Sequence, residues 1–162
     1  MPPAACSAIL ADMHENEKQL YRSLIQSLAM QRKLRPVFIE RKPRDERFAW
    51  IKEALGRRQN ESIAANLLQV WLVNRHSAML CDFLDSLGIK HDENGTIDQL
   101  PPQPEKPALE NAVRLLLEKY DPAFVSIYLR AFQALDDAGW PLLEEVIAAD
   151  PRLQFTAPAP AA

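Results

Sequence analysis

The stretch 60–88, NESIAANLLQVWLVNRHSAMLCDFLDSLG, decides the fold class. Its apolar residues recur at helical spacing along two stripes. One stripe contains Ile63, Leu67, Val70, Cys81 and Leu84, and the other contains Leu68, Leu72, Met79, Leu80, Phe83 and Leu87. A helix that is apolar on more than one side usually lies at the centre of a bundle. We therefore expect one helix roughly 40 Å long, capped by Asn60 and ended by Gly88.

The composition of the whole chain favours helices around this element. The 162 residues include 22 Ala and 22 Leu, against 17 β-branched residues (Val, Ile and Thr together). Unbranched side chains lose little freedom in a helix, whereas β-branched side chains favour strands. The four glycines are too few for Gly-rich phosphate-binding loops. We predict an all-α bundle of five to six helices around the long central helix, with one Pro-rich loop.

The other elements are predicted from apolar spacing and from the prolines and glycines that bound them. Further helices are expected at about 7–33, 43–55, 108–120, 122–135 and 141–150. The polar middle of the first of these helices favours a split before Gln19. The apolar run 36–40 lies between two prolines and is expected to be extended. The segment 89–107 is expected to be a loop with a tight turn at Asn94-Gly95.

The length suits a single helical domain over residues 1–155. Within it, an N-terminal part, 7–88, and a C-terminal part, 108–150, are expected to pack together. The Pro/Ala-rich tail 156–162 is expected to be disordered. No stretch approaches the roughly 20 apolar residues that span a bilayer, so we expect a cytoplasmic protein without membrane contact. Its two cysteines, Cys6 and Cys81, are then expected to be free thiols.

The charge is unevenly distributed along the chain. The segment 32–58 contains ten basic and four acidic residues, a net charge of +6, while the remainder carries −9. The basic side chains are interleaved with Phe38, Phe48 and Trp50, a mixture that can hold phosphates and stack bases. We select nine of them as candidate anion or nucleic-acid contacts: Arg32, Lys33, Arg35, Arg41, Lys42, Arg44, Arg47, Arg57 and Arg58. The alternative is a solvated basic face, or one that pairs with the acidic half of the chain or with a second copy.

Residues able to bind metal or to catalyse are sparse. His14 resembles the start of a zinc-binding helix motif, but Lys18 stands where the second histidine is needed. His76 and Cys81 share the long helix, yet they point about 140° apart at 100° per residue and cannot ligate one ion alone. They are retained as candidate lining of a small-molecule pocket. The loop 91–98 fits a calcium loop poorly, and a solvated turn is preferred. No metal and no cofactor is expected.

Three hypotheses about function remain open. The first is a non-enzymatic helical module that binds another protein, or itself, because no catalytic constellation is recognisable. The second is nucleic-acid or anion binding through 32–58, although the isoelectric point of about 5.6 is low for that class. The third is small-molecule binding or catalysis in a bundle near His76 and Cys81.

Overall fold

The computed structural model describes residues 3–135 and 139–155. Over these residues the chain forms eight α-helices and two short 3-10 turns, with no strand, which confirms the predicted all-α class. The helices are α1 (Pro3–Asn16), α2 (Lys18–Gln31), α3 (Pro36–Glu40), α4 (Arg44–Leu55), α5 (Glu61–Ser86), α6 (Lys106–Lys119), α7 (Pro122–Gln133) and α8 (Pro141–Ala149). The 3-10 turns are Arg58–Asn60 and Pro151–Leu153.

The described chain divides into two compact units, and the division falls between Trp71 and Leu72, inside α5. The predicted boundary was the loop 89–107. That the whole chain forms a single domain over 1–155 stays a prediction. The tail expected to be disordered, 156–162, lies outside the described residues.

The predicted long helix is present as the 26 residues of α5. Its backbone departs from helical geometry at His76, where φ is −132° and ψ is 21°. The predicted cap at its start is wrong. Asn60 lies in a 3-10 turn, and its side-chain amide donates to the carbonyl of Ala54 at 2.7 Å instead of accepting from α5. The helix ends at Ser86, two residues before the predicted Gly88. Gly88 adopts the left-handed φ of 67° that closes the last turn.

Two local differences raise the number of helices from six to eight. The helix expected over 7–33 is broken at Glu17, where φ is −126° and ψ is 58°, consistent with the expected split in its polar middle. The expectation that 36–40 is extended is wrong, since these residues form α3. Pro36 occupies its first turn, where the missing N–H costs nothing, and the Arg47 guanidinium donates to the Glu40 carbonyl at 2.9 Å. A tertiary contact thus completes a helix that local propensity leaves undecided.

The first unit contains α1 to α4 and the start of α5. Its core side chains are fully buried and apolar: Leu10, Met13, Ile25, Leu28, Ile51 and Trp71. The indole N–H of Trp71 donates to the carboxylate of Asp12 at 2.8 Å, which joins α1 to α5. Burying a tryptophan with its N–H satisfied stabilises this unit without leaving a polar group unpaired.

The second unit contains the rest of α5 and α6 to α8. Its core includes three aromatic rings in edge-to-face contact, with Phe132 5.3 Å from Phe83 and 4.9 Å from Trp140 between ring centroids. The turn predicted at Asn94-Gly95 is also present. The carboxylate of Asp92 accepts the backbone N–H groups of residues 94 and 96 at 2.9 and 2.7 Å. This is the Asx-type turn preferred from the sequence.

No helix in the described part of the chain combines the length and the apolar character needed to cross a bilayer.

Candidate interaction surface

The end of α2 sets the geometry of the most unusual surface in the first unit. The N–H of Leu34 donates to the carbonyl of Ala29 at 2.9 Å, and the N–H of Lys33 donates to that of Met30 at 3.0 Å. This pair of bonds is a Schellman motif, and it requires a left-handed residue at the position of Lys33. The φ of Lys33 is 54°, and among the described non-glycine residues it alone has a positive φ. A lysine therefore occupies a position that glycine fills with less strain.

Four large apolar side chains are exposed around this turn, at the end of α2 and on α3. The side chains of Met30 and Phe38 are 73% and 58% exposed, and those of Leu34 and Val37 are also exposed. Among the other described residues, the only large apolar side chains that are also exposed are those of Leu115 and Leu135, and both are far away in the sequence. Scattered apolar residues on a surface are ordinary, but these four fall within nine residues of sequence, which makes this segment the candidate interaction site.

Three cations from the predicted set stand among these apolar groups. The side chains of Lys33, Arg35 and Arg41 are exposed, and none makes an ion pair with any residue that the structure describes. We call the whole group the α2–α3 corner, which consists of Met30, Lys33, Leu34, Arg35, Val37, Phe38 and Arg41. The corner offers apolar contact and positive charge on one short segment of chain.

Two other predicted cations are engaged with one carboxylate. Arg32 and Arg57 both bind Glu53, at 3.0 and 2.8 Å between guanidinium nitrogen and carboxylate oxygen. Hydrogen bonds from these two guanidinium groups lower the pKa of Glu53, and the bond from Arg57 has the larger effect. The Arg32 guanidinium also lies over the Trp50 ring, 5.2 Å from its centroid. These contacts tie the end of α2 to α4, so the charge of Arg32 contributes to packing more than to an open surface.

Arg47 is held in a second cluster beside His14. One guanidinium nitrogen donates to His14 Nε2 at 3.3 Å, and the guanidinium lies 5.6 Å from the centroid of the Tyr21 ring. Partial burial, followed by the charges of Arg47 and Arg44, lowers the pKa of His14 below its ordinary value of 6.5. His14 is thus an acceptor in this cluster and not a proton donor.

The remaining predicted cations are Lys42, Arg44 and Arg58, of which Arg44 borders the His14 cluster, with its guanidinium 5.2 Å from the centroid of the Phe48 ring. Lys42 pairs with Glu46 at 3.5 Å, and Arg44 pairs with Glu15 at 3.6 Å. Arg58 is exposed in the 3-10 turn before α5. The nine cations selected from the sequence are therefore distributed over several environments, and only three of them belong to the corner. Their binding of an anion stays a prediction.

His76 and Cys81, the other predicted pair, have separate partners in the second unit. The ring of His76 lies 4.7 Å from that of Phe124 between centroids, whereas the thiol of Cys81 donates to the Glu93 carbonyl at 3.7 Å. Burial and the nearby carboxylates of Asp85, Asp82 and Asp92 raise the pKa of Cys81, which disfavours the reactive thiolate. Over the described residues, no three His, Cys, Asp or Glu side chains are placed to hold a metal ion.

The sequence selected the three cations of the corner and named Phe38 beside them. It did not reveal that Met30, Leu34 and Val37 are exposed around them. A usable signal existed for one of them, because Met30 falls out of phase with the buried residues Leu24, Ile25 and Leu28 of α2. Comparison with known proteins does not assign this surface: no family model, no curated protein and no solved structure matches the chain.

Proposed function

We propose that the chain is a non-enzymatic, cytoplasmic protein-interaction module that binds an acidic, apolar segment of a partner at the α2–α3 corner. The observation that carries this proposal is the group of four exposed apolar side chains interleaved with three cations that make no ion pair within the described part of the chain. The compartment is proposed from the two cysteines, which are both free thiols, as is usual in a reducing environment.

The apolar part of the corner supplies the driving force for binding. Covering a large apolar side chain contributes roughly 1.5–3 kcal/mol relative to leaving it in water. Phe38 and Met30 are the most exposed of the four and therefore have the most surface to bury. An aromatic anchor surrounded by polar groups is also the usual composition of an interaction hot spot.

The cations define the chemistry of the partner. Lys33, Arg35 and Arg41 are exposed and make no ion pair with the carboxylates that the structure describes, so a partner can reach them. A partner that places carboxylates opposite these groups gains attraction and faster association, whereas a basic partner is repelled. The fit is to an acidic segment with apolar residues between its carboxylates.

A peptide display library gives a direct test. Panning a random library on the immobilised protein should enrich sequences in which Asp or Glu alternates with large apolar residues. Leu34→Ser should abolish binding of the enriched peptides. Leu115→Ser is the matched control, because Leu115 has nearly the same exposure, 42% against 41%, and lies in the second unit. Equal binding by both variants, or enrichment without acidic residues, contradicts the proposal.

The charge requirement is tested separately. Arg41→Glu should weaken binding of the same peptides, while Arg58→Glu should not, since both arginines are exposed but only Arg41 belongs to the corner. Sedimentation of the protein alone shows whether the acidic surface is supplied by a second copy. In that case the dimer should be lost on Leu34→Ser and retained on Leu115→Ser.

Nucleic acid is the second candidate for the corner. Phe38 is exposed beside Arg35 and Arg41, and an aromatic ring next to guanidinium groups can stack bases. Anisotropy of a labelled single-stranded RNA distinguishes the two functions. Phosphate-driven binding must weaken steeply as salt rises, and it must require Arg35 and Arg41. If RNA binds in this way and acidic peptides do not, the second function replaces the first.

A further inference from the structure

A cavity of about 480 Å³ lies in the first unit, and its lining residues do not belong to the α2–α3 corner. It is lined by the first turns of α1, the end of α4, the chain that follows α4, and the first turns of α5. Small-molecule sites generally have volumes of roughly 300–1,000 Å³. The cavity is therefore large enough for a compact organic ligand.

The interior of the cavity is apolar. Ile9 and Leu10 of α1 line it together with Leu67 of α5, and all three side chains are buried. Ala64 also lines the cavity, between Glu61 and Leu67 of α5, and its small side chain leaves space that a larger one would fill. A surface of this kind favours a hydrocarbon chain and has few groups with which to hold a sugar or a base.

The rim of the same cavity is positively charged. Lys52, Arg57 and Arg58 contribute to the lining together with one carboxylate, that of Glu61, and Arg57 also pairs with Glu53 outside the cavity. The ammonium group of Lys52 is held in partly buried surroundings, where it donates to the hydroxyl of Ser7 at 3.2 Å. Its three N–H groups exceed the one acceptor that this bond provides. A cation fixed at the edge of an apolar cavity is the arrangement that receives an anionic head group.

We infer that this cavity binds an amphiphilic carboxylate, with its hydrocarbon chain against Ile9, Leu10 and Leu67 and its carboxylate at Lys52. The head group completes the hydrogen bonding of the ammonium, and the chain is removed from water. This site is independent of the proposed partner surface, because the residues that line the cavity and those of the corner do not overlap.

Calorimetric titration with decanoate tests the inference. Decanoate should bind saturably below its micellar concentration, while acetate and decanol should bind at least about tenfold more weakly, since one lacks the chain and the other the charge. No binding of decanoate, or equal binding of decanol, overturns the inference. Equal binding of acetate shows an anion site without a chain pocket, which also overturns it.

Two pairs of variants localise the ligand. Ala64→Phe should abolish decanoate binding by filling the cavity, while Ala65→Phe is the control, because Ala65 is exposed and does not line the cavity. Lys52→Met should weaken binding about tenfold or more by removing the charge, whereas Lys42→Met should leave it unchanged. Binding that survives both Ala64→Phe and Lys52→Met places the ligand elsewhere and refutes the site.

A measurement on the unaltered protein does not depend on the folding of any variant. Cys6 lines the cavity and Cys81 lies in the second unit, so the two thiols form an internal comparison. At mildly alkaline pH, saturating decanoate should slow the alkylation of Cys6 by N-ethylmaleimide severalfold and leave the rate at Cys81 unchanged. Unchanged alkylation of Cys6 at saturation overturns the inference.

Discussion

Two glycines of the second unit form a matched pair for testing how the 92–96 turn is held on α5. Gly88 and Gly95 have nearly the same left-handed backbone, with φ of 67° and 73°. A Cβ atom at Gly88 would meet nothing within 4 Å. A Cβ atom at Gly95 would overlap the Cβ of Leu80 and lie 2.8 Å from the backbone nitrogen of Cys81. The two alanine variants therefore share one backbone penalty and differ in the contact with α5.

The magnitudes follow from these environments. A left-handed alanine costs about 1–2 kcal/mol, so Gly88→Ala should lower the free energy of unfolding by this amount. The Cβ of Leu80 cannot rotate away, because it is fixed to the backbone of α5. Gly95→Ala must therefore lift the turn from the helix, which adds about 1–3 kcal/mol of overpacking. If the two backbone N–H bonds to Asp92 are strained as well, each adds about 1 kcal/mol.

Urea unfolding followed by circular dichroism gives the two free energies. Hydrogen exchange then reports whether protection is lost in the turn and in the facing part of α5. We expect Gly95→Ala to be the more destabilising variant by at least about 1 kcal/mol, with faster exchange confined at first to these segments. Equal destabilisation by the two variants would refute the view that close packing of the turn on α5 requires glycine.

Three further predictions concern single side chains. Lys33→Gly should raise the free energy of unfolding by about 1 kcal/mol in urea titrations, because it relieves the left-handed strain at the end of α2. In a nuclear magnetic resonance titration, His14 should titrate below the ordinary value of 6.5 and His91 above it; the reverse order contradicts the structure. A lowered folded pKa means that the contribution of His14 to stability is lost as pH falls below its unfolded pKa, whereas that of His91 is lost as pH rises through its raised folded pKa. Trp71→Phe should cost about 2–3 kcal/mol in thermal or urea unfolding, since it removes the bond to Asp12 and leaves that carboxylate partly desolvated.

The raised pKa of His91 has a local origin. Its ring is bonded first to the backbone carbonyl of Asp92 and then to the carboxylate of Asp85, at 3.1 Å from Nε2, and both favour the protonated ring. His91→Gln should therefore flatten the alkaline side of the stability profile, and His14→Gln the acidic side. An unchanged profile for both variants would contradict the assigned pKa directions.

Much of the fold was predictable because its boundaries depend on local chemistry. α4, α6, α7 and α8 begin and end within a few residues of the predicted positions, where a proline precedes α4 or stands in the first turn of the others, and an aspartate caps α7. The error at α3 has a different cause. Val37, Phe38 and Ile39 are β-prone residues between two prolines, and the helix that they form is joined to the next helix by the bond from Arg47 to the Glu40 carbonyl. Contacts of that kind leave no periodic signal.

The candidate sites were predictable only in part, because the sequence does not show which charged side chains form ion pairs or which helices pack together. The sequence counts ten cations in 32–58, but it does not show that Arg32 and Arg57 converge on Glu53 from different elements. It also gives no sign of the cavity, whose lining comes from α1, α4 and α5 and so depends on how three helices pack. Charge composition can identify a basic segment, whereas the fold determines which of its charges remain available.

The two proposed sites of the first unit differ in how far their cations are buried. At the corner, Lys33, Arg35 and Arg41 face solvent beside exposed apolar groups, so their attraction acts over a surface and is reduced by salt. At the cavity, Lys52 is partly buried, so its attraction acts on one head group and is screened less. Raising the salt concentration should therefore weaken peptide binding more than decanoate binding. The same salt dependence for both ligands would mean that the two sites do not differ in burial as the structure indicates.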